Sequence, residues 1–167
     1  MKIDVSKIVK AEGACQAVSV EISVDKIDFN GQEFLFTAPL KVEGTVKNNG
    51  GNLYLDAAVQ TQFVVNCARC LKEITEDFEF DVNESYTQSE KIGEDSVFLP
   101  IVSNTVDLQS AVEENFCTSV PFVFLCNEDC KGLCHTCGKD LNDGPCDCED
   151  EEIDPRLAAL KAFLKND

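Results

Sequence analysis

Apolar and polar side chains alternate over much of the first half of the chain, which predicts a sheet. From Val18 to Val24 every second residue is a branched apolar one, the period-two pattern of a strand with one buried face. Similar runs follow at 34–47, 53–66 and 73–84. Residues 48–51, Asn-Asn-Gly-Gly, tolerate the positive φ angles of a tight turn. Successive strands joined by short turns predict an antiparallel meander, partly curled toward a barrel.

The pattern becomes helical at Asp107, a residue type that caps helix N-termini. The residues that share one face at helical spacing are Leu108, Ala111, Val112, Asn115 and Phe116. Pro121 is expected to end this helix. Before the helix, residues 85–96 are polar and predict a loop, and 97–102 form a shorter apolar stretch that Pro100 interrupts.

A second short helix is predicted near the end of the chain, where Asp154 is an N-cap and Pro155 occupies the first turn. Its apolar stripe consists of Leu157, Leu160 and Leu164. The predicted fold class is α+β, with an antiparallel sheet, two short helices and a Cys-rich zinc-knuckle segment toward the C-terminus. We assign residues 1–125 to the main domain. Residues 126–167 form the metal-binding segment and C-terminal helix, packed on the same domain.

Composition narrows the possible functions. The 167 residues include 31 Asp or Glu against 14 Lys or Arg, a net charge of −17 at pH 7. Phosphates of nucleic acids and anionic membrane surfaces repel such a chain, and a basic protein partner is favoured. No apolar run reaches the length of a membrane span, and the first residues lack a signal-peptide pattern. We therefore expect a cytoplasmic location, where thiols stay reduced.

Eight of the ten cysteines form four close pairs, Cys67/Cys70, Cys126/Cys130, Cys134/Cys137 and Cys146/Cys148. Two-residue spacing lets one turn of backbone present two sulfurs to a tetrahedral metal such as zinc. Segment 126–148 has too few apolar residues to fold around a core of its own, which favours metal binding there. Cys15 and Cys117 stand alone and are expected to be small buried side chains.

The spacing leaves the grouping of the cysteines open. One possibility is two sites, a long-range one of Cys67, Cys70, Cys126 and Cys130 and a local one of Cys134, Cys137, Cys146 and Cys148. The other is a single site made from Cys130, Cys134, Cys137 and Cys146. One or two zinc ions are therefore expected. Eight thiolates with two divalent ions would bring the net charge to about −21.

Three other cysteine chemistries are less favoured. The spacing of Cys130, Cys134 and Cys137 is that of radical enzymes with a four-iron cluster, which need a large α/β barrel around it. Cys67 and Cys70 have thioredoxin spacing, but they lie between two predicted strands instead of beginning a helix. His135, the single histidine, is expected to face solvent and neither to bind the metal nor to activate a thiol.

Four motifs share one resemblance. They are Cys67-Ala-Arg-Cys70-Leu71 at a strand end, the helix over 107–121, Cys130-Lys-Gly-Leu-Cys134-x2-Cys137-Gly138-x2-Leu141-Asn142, and Asp154-Pro155-Arg156-Leu157-Ala158-x-Leu160. In combination they resemble the YceD family, the large ribosomal RNA subunit accumulation proteins, over about residues 15–165. The Cys-rich stretch resembles the form found in Gram-positive bacteria. His135 stands where many relatives have Pro, which leaves the knuckle intact.

This resemblance implies a role in ribosome biogenesis, in the accumulation of large-subunit (23S) ribosomal RNA, without enzymatic activity. Genes of the family commonly adjoin that of a small basic large-subunit ribosomal protein. Together with the acidity of the chain, it favours a non-catalytic factor that contacts a basic ribosomal protein or an assembly factor. The alternatives are a direct RNA-binding zinc protein that uses Lys131 and Lys139, and a thiol-redox or iron–sulfur enzyme.

Overall fold

The computed structural model describes residues 1–88 and 98–148. The strands are β1 (Lys2–Asp4), β2 (Cys15–Ile22), β3 (Lys26–Phe29), β4 (Gln32–Phe36), β5 (Leu40–Asn49), β6 (Asn52–Asn66), β7 (Glu73–Thr87), β8 (Leu99–Pro100) and β9 (Thr105–Asp107). The helices are α1 (Ser6–Val9) and α2 (Leu108–Ser119). The α+β prediction, with an antiparallel sheet and few helical residues, is confirmed. Neither of these helices has the length and apolarity needed to cross a membrane.

The main sheet is built around β6, a strand of 15 residues. One edge of β6 pairs with β5 and, further along, with β4, while β7 pairs with its other edge. β2 continues the sheet beyond β5, and β3 continues it beyond β4. All of these pairs are antiparallel, and β5, β6 and β7 form the predicted meander.

The predicted tight turn at residues 48–51 joins β5 to β6. Asn49 pairs with Asn52, and the two residues between them, Gly50 and Gly51, have φ angles of 63° and 86°. Two consecutive positive φ angles are typical of the two-residue turn whose twist matches that of the flanking strands.

The run at 34–47, predicted as one strand, is divided between β4 and β5. Phe36 pairs with Phe63 and Lys41 pairs with Gln60, so the four residues 37–40 lie opposite only two residues of β6, 61 and 62. Pro39 lies in the interruption and has no N–H to donate to the ladder, which explains the break. The apolar alternation continues through it because both strands keep the same face toward the core.

α2 packs on one face of the sheet and buries its predicted apolar stripe. The Asp107 side chain accepts a hydrogen bond from the backbone N–H of Gln109, and the helix ends at Ser119, as the cap and Pro121 predicted. The ring of Phe116 meets those of Phe34 and Phe63 edge to face, with centroids 5.4 and 5.6 Å apart. Such edge-to-face pairs stabilise a core beyond the apolar area that they bury.

Other boundaries differ from the prediction. Residues 85–87 continue β7 instead of starting a loop, because Tyr86 is buried and pairs with Leu53. The remaining loop residues 89–96, like the predicted helix at 154–164, lie outside the described residues. α1 and the two-stranded sheet of β1 and β9 were not predicted, because elements of three or four residues carry too little pattern. The division at 125/126 stays a prediction.

Candidate metal centres

The eight paired cysteines gather into two separate groups of four. The first cluster consists of Cys67, Cys70, Cys126 and Cys130, and the second cluster consists of Cys134, Cys137, Cys146 and Cys148. Within each cluster the sulfur atoms lie within 4.8 Å of one another, and all ten cysteines of the chain are free thiols. The grouping is that of the two-site alternative, while Cys130 lies apart from the other three members of the proposed single site.

A turn at the end of β6 presents the first two sulfurs of the first cluster. The backbone N–H of Cys67 donates to the carbonyl of Lys72 at 2.8 Å, and that of Leu71 donates to the carbonyl of Cys67 at 3.0 Å. Leu71 has a φ of 60°, the left-handed conformation that reverses the chain toward β7. Cys67 and Cys70 therefore lie in a strand-to-strand turn and not at a helix start, unlike a thioredoxin-type pair.

The second cluster begins with a turn of the same geometry. The N–H of Cys134 donates to the carbonyl of Lys139 at 2.8 Å, and that of Gly138 donates to the carbonyl of Cys134 at 2.8 Å. Gly138 has a φ of 74° at the position that Leu71 occupies in the first turn. Glycine adopts this conformation without steric cost, as the sequence predicted for the knuckle. His135 is exposed within this turn.

The sulfur positions fit a tetrahedral metal. A sulfur–zinc distance of about 2.3 Å in a tetrahedron places ligand sulfurs about 3.8 Å apart. In the first cluster Cys67 and Cys130 have their sulfurs 3.8 Å apart, and Cys70 and Cys126 have theirs 3.5 Å apart. In the second cluster the sulfurs of Cys134 and Cys146 are 3.4 Å apart. The other sulfur pairs of each cluster lie within 4.8 Å, so each group of four cysteines could hold a metal ion.

The two clusters differ in burial. Cys67, Cys70 and Cys130 are buried, and only Cys126 of the first cluster is exposed. In the second cluster only Cys134 is buried. The first cluster also lies against apolar side chains of the fold, which are Ile74, Leu125 and Leu133. A metal in the first cluster would therefore be part of the protein interior, and one in the second cluster would lie near the surface.

Hydrogen bonds separate the pKa values of the thiols in each cluster. Backbone hydrogen bonds, chiefly from Cys126, lower the pKa of Cys67 to about 6, and hydrogen bonding to the thiols of Cys70 and Cys130 raises the pKa of Cys126 to about 12. Backbone hydrogen bonds from Cys137 and Thr136 likewise lower the pKa of Cys134 to about 6. Each cluster thus holds at least one thiol that readily ionises at neutral pH, and the thiolate is the form that binds a metal.

Polar contacts between the two turns hold the clusters side by side. The carbonyl of Arg69 accepts a hydrogen bond from the N–H of Leu133, the residue before Cys134, at 3.1 Å. Within the first cluster, the guanidinium of Arg69 donates to the carbonyl of Cys130 at 2.7 Å. The ammonium of Lys72 lies 2.7 Å from a carboxylate oxygen of Asp140. This ion pair links the residue two positions after Cys70 to the residue three positions after Cys137.

Asn142 connects the second cluster region to a sulfur of the first. Its side-chain amide donates to the Cys130 sulfur at 3.4 Å, while its side-chain oxygen accepts from the N–H of Lys131 at 2.8 Å. The Asn142 contact lowers the pKa of Cys130. Sequence reasoning did not assign a role to Arg69, Asp140 or Asn142. The signals present were that Arg69 and Asn142 both belong to motifs that carried the resemblance.

The two unpaired cysteines lie outside both clusters. Cys117 is half-buried on α2, packs against the core, and has its pKa raised by burial. Cys15 is exposed at the start of β2, so the expectation that it is buried was wrong. Successive side chains of a strand point to opposite faces of the sheet. Cys15 lies on the solvent-exposed face of β2, and Gln16 and Val18 lie on the opposite face.

Comparisons with known proteins agree with the resemblance that the motifs suggested. The family model described as large ribosomal RNA subunit accumulation protein YceD matches residues 55–164, about two thirds of the chain. An uncharacterised protein of Bacillus subtilis, YlbN, is 26% identical over 133 residues, which cover 78% of this chain and 77% of that protein. An uncharacterised protein of Mycobacterium leprae is 25% identical over 169 residues, with 98% and 77% covered.

Plant proteins are also similar. The Zea mays protein named large ribosomal RNA subunit accumulation protein YCED homolog 1, chloroplastic, is 24% identical over 159 residues, which cover 76% of this chain and 54% of that protein. No solved structure matches the chain.

Proposed function

Because the chain belongs to the YceD family of large ribosomal RNA subunit accumulation proteins, we propose that it is a non-catalytic factor that supports accumulation of large-subunit (23S) ribosomal RNA. The observation that carries this proposal is the family match over residues 55–164, a range that includes both cysteine clusters. The plant relatives bear the same functional name. We place the activity in the cytoplasm.

We further propose that each cluster binds one structural zinc ion. The sulfur spacings and the four-cysteine donor sets support this assignment. The ions would fix segment 126–148 on the sheet. Phe124 and Leu125, just before this segment, pack on the fold, but the segment itself contains few apolar residues that could hold it there. If all eight cysteines bind metal, only Cys15 and Cys117 are left, and these two lie outside both clusters, which leaves the thiol-redox alternative without a close cysteine pair.

The partner that we propose is a basic protein of the large-subunit pathway, either a ribosomal protein or an assembly factor. A net charge of −17 attracts cationic surfaces and speeds their association. The same charge disfavours direct contact with RNA, which is the second candidate. Lys139, one of the two lysines named for that role, donates its ammonium to the carbonyl of Pro145 within the second cluster region.

Depletion of the protein in cells tests the function. Mature large-subunit ribosomal RNA should fall relative to small-subunit ribosomal RNA, and the wild-type gene should restore it. A control variant, Cys15→Ser, lies outside both clusters and should restore it equally, since Cys15 is exposed and unpaired with other thiols. An unchanged ratio of the two ribosomal RNAs after depletion would refute the proposal.

Elemental analysis of the purified protein tests the metal assignment. Two zinc ions per chain and a colourless preparation are expected. A brown preparation with visible absorbance would identify an iron–sulfur protein instead. Titration with large-subunit ribosomal RNA at low salt tests the second candidate, because tight, salt-sensitive binding would favour direct RNA contact.

A further inference from the structure

One edge of the main sheet is open over most of its length. β7 pairs with β6 from Glu73 to Tyr86, and on its other side it pairs only with β8, at Tyr86 and Thr87. Among the residues that the structure describes, no strand lies against the outer edge of β7 from 73 to 85. The backbone groups of this stretch that point away from β6 make no other backbone hydrogen bond within the described chain. A long open edge is a template for pairing with another strand.

The side chains along this edge carry one sign of charge. β7 contains six acidic residues and no basic one, and the acids are Glu73, Glu76, Asp77, Glu79, Asp81 and Glu84. Asp77 accepts a hydrogen bond from Gln62, and Glu84 accepts one from Asn115. The other four form no ion pair with any described residue. Their negative charge is therefore available to a partner.

The charge selects against a second copy of the same chain. If two β7 edges paired, the carboxylates of one would lie opposite those of the other, and like charges at facing positions of a ladder are destabilising. Acidic side chains on an edge strand are a known means of preventing self-association. A cationic strand would be attracted instead, because its cations on the outer face would lie beside Glu73, Glu79 and Asp81, three carboxylates without an ion pair among the described residues.

The two faces of β7 favour different side chains in a strand that pairs with its outer edge. On the outer face Glu73, Asp77 and Glu79 are exposed. On the inner face, toward α2, Ile74 and Phe78 are half-buried beside the core, and Glu76 lies between them on the same face. A strand that alternates basic and apolar residues would place its cations on the outer face and cover these apolar side chains on the inner one.

We propose that the outer edge of β7 binds an extended segment of a partner protein in which Lys or Arg alternates with apolar residues, and that this segment adds a strand to the sheet. The inference rests on the proposed function, since it names the surface that would hold the basic protein of the large-subunit pathway. Backbone hydrogen bonds would supply affinity, and the alternation of side chains would supply specificity.

The other long edge of the sheet provides an internal comparison. β2 (Cys15–Ile22) pairs only with β5, so its outer edge is also open within the described chain. Its eight residues include one acid, Glu21, and no base. A basic strand should therefore bind more tightly to the edge of β7 than to the edge of β2.

The test uses synthetic peptides with the full-length protein. One peptide alternates Lys and Val over eight residues, and two further peptides carry N-methyl groups on alternate residues in one or the other register. A fourth replaces every Lys by Glu. Binding is measured by calorimetry at low and moderate salt, and amide hydrogen exchange of the protein locates the site.

We expect the Lys–Val peptide to bind and to slow exchange of alternate amides between residues 73 and 85, with no change in 15–22. One of the two N-methylated peptides should bind about tenfold more weakly, because methylation removes the hydrogen bonds of one edge. The Glu–Val peptide should not bind. Glu73→Gln, Glu79→Gln and Asp81→Asn together should weaken Lys–Val binding about tenfold.

A matched variant controls for net charge. Glu12→Gln, Glu21→Gln and Glu43→Gln remove an equal number of charges from exposed positions outside β7, of which Glu43 lies two strands from Asp81, and should leave binding within about twofold at moderate salt. Equal binding of all three Lys–Val peptides, or protection at β2, would overturn the proposal in favour of nonspecific attraction. Dimerisation through β7, detected as protection of 73–85 in the protein alone at high concentration, would overturn it in favour of a second copy.

Failure of this inference is distinguishable from failure of the proposed function. If depletion lowers large-subunit ribosomal RNA and the β7 triple variant restores it as well as wild type, the function stands and the β7 edge is not its surface. If the triple variant binds the peptide weakly and also fails to restore the RNA while the matched variant succeeds, both are supported.

Discussion

The turns at Cys67 and Cys134 have similar backbone conformations but differ in burial and in the distance along the chain to their partner cysteines. Each begins with an N–H that donates to the carbonyl five residues later and reverses through a residue with positive φ, Leu71 in one and Gly138 in the other. The first turn ends β6 and joins partners more than 50 residues away, with separations of 63 and 56. The second joins Cys134 to Cys146 only 12 residues later.

This difference shows that local geometry makes a cysteine turn and that its surroundings decide what the turn contributes. The first cluster is mostly buried and connects the sheet to the C-terminal segment, so its loss should affect the whole fold. The second cluster has only one buried cysteine and closes a short local loop, so its loss should remain local.

The largest effect should come from Cys67→Ser combined with Cys70→Ser. We expect the loss of one metal ion per chain and a fall of about 4 kcal/mol in the free energy of unfolding, as for a ligand present at about a thousandfold excess over its dissociation constant. Urea unfolding followed by far-UV circular dichroism measures the change. The matched variant, Cys134→Ser with Cys137→Ser, should also lose one ion but shift the unfolding of the sheet by less than about 1 kcal/mol. Equal shifts would contradict the comparison.

Gly132→Ala should be the next most damaging change. Gly132 has a φ of 75°, and a Cβ there would lie 2.9 Å from the carbonyl oxygen of Arg69, where the two turns meet. The strain of a left-handed backbone at alanine and this close contact should together lower the free energy of unfolding by about 3 kcal/mol. Gly138→Ala is the control, because its φ of 74° is similar and its Cβ would meet nothing within 4 Å. Gly138→Ala should lower the free energy of unfolding by about 1 kcal/mol, measured by thermal or urea unfolding. A cost for Gly138→Ala as large as that for Gly132→Ala would show that the approach to Arg69 is unimportant.

Leu71→Gly should stabilise the protein slightly. Leu71 is 63% exposed and holds a φ of 60°, so glycine would relieve left-handed strain and lose little burial. The greater freedom of glycine in the unfolded chain offsets part of this gain, leaving about 0.5 kcal/mol. The reverse change in the second turn, Gly138→Leu, should destabilise. A higher melting temperature for Leu71→Gly checks the sign, and a lower one would refute the strain argument.

The smallest effect should come from Asp140→Asn, which removes the ion pair between the turns. Hydrogen bonding to Lys72 holds the pKa of Asp140 below its ordinary value of 3.8. A carboxyl whose folded pKa is lowered stabilises the fold above its unfolded pKa and loses that contribution as pH falls through the folded pKa. Wild type should therefore be the more stable protein at pH 7, and the difference should disappear in acid below pH 3.8. A difference that persists unchanged in acid would assign it to packing.

Much of this molecule was predictable because its signals are local. The alternation in 53–66 predicted β6, the Asn-Asn-Gly-Gly sequence predicted the turn before it, and Asp107 predicted the cap of α2. The break between β4 and β5 escaped prediction because the apolar parity runs through it and only the register with β6 reveals it. The burial expected for Cys15 failed because its position in β2 faces solvent.

The sequence by itself determined which cysteines form turns, because the hydrogen bonds of a turn involve residues five or fewer positions apart. It also determined that the chain is acidic and that β7 carries acids without bases. Only the tertiary structure decided that Cys67 and Cys70 join Cys126 and Cys130, and that the acidic strand lies at an open edge. Both depend on which distant segments pair, and pairing is decided by the packing of the whole core and not by spacing along the chain.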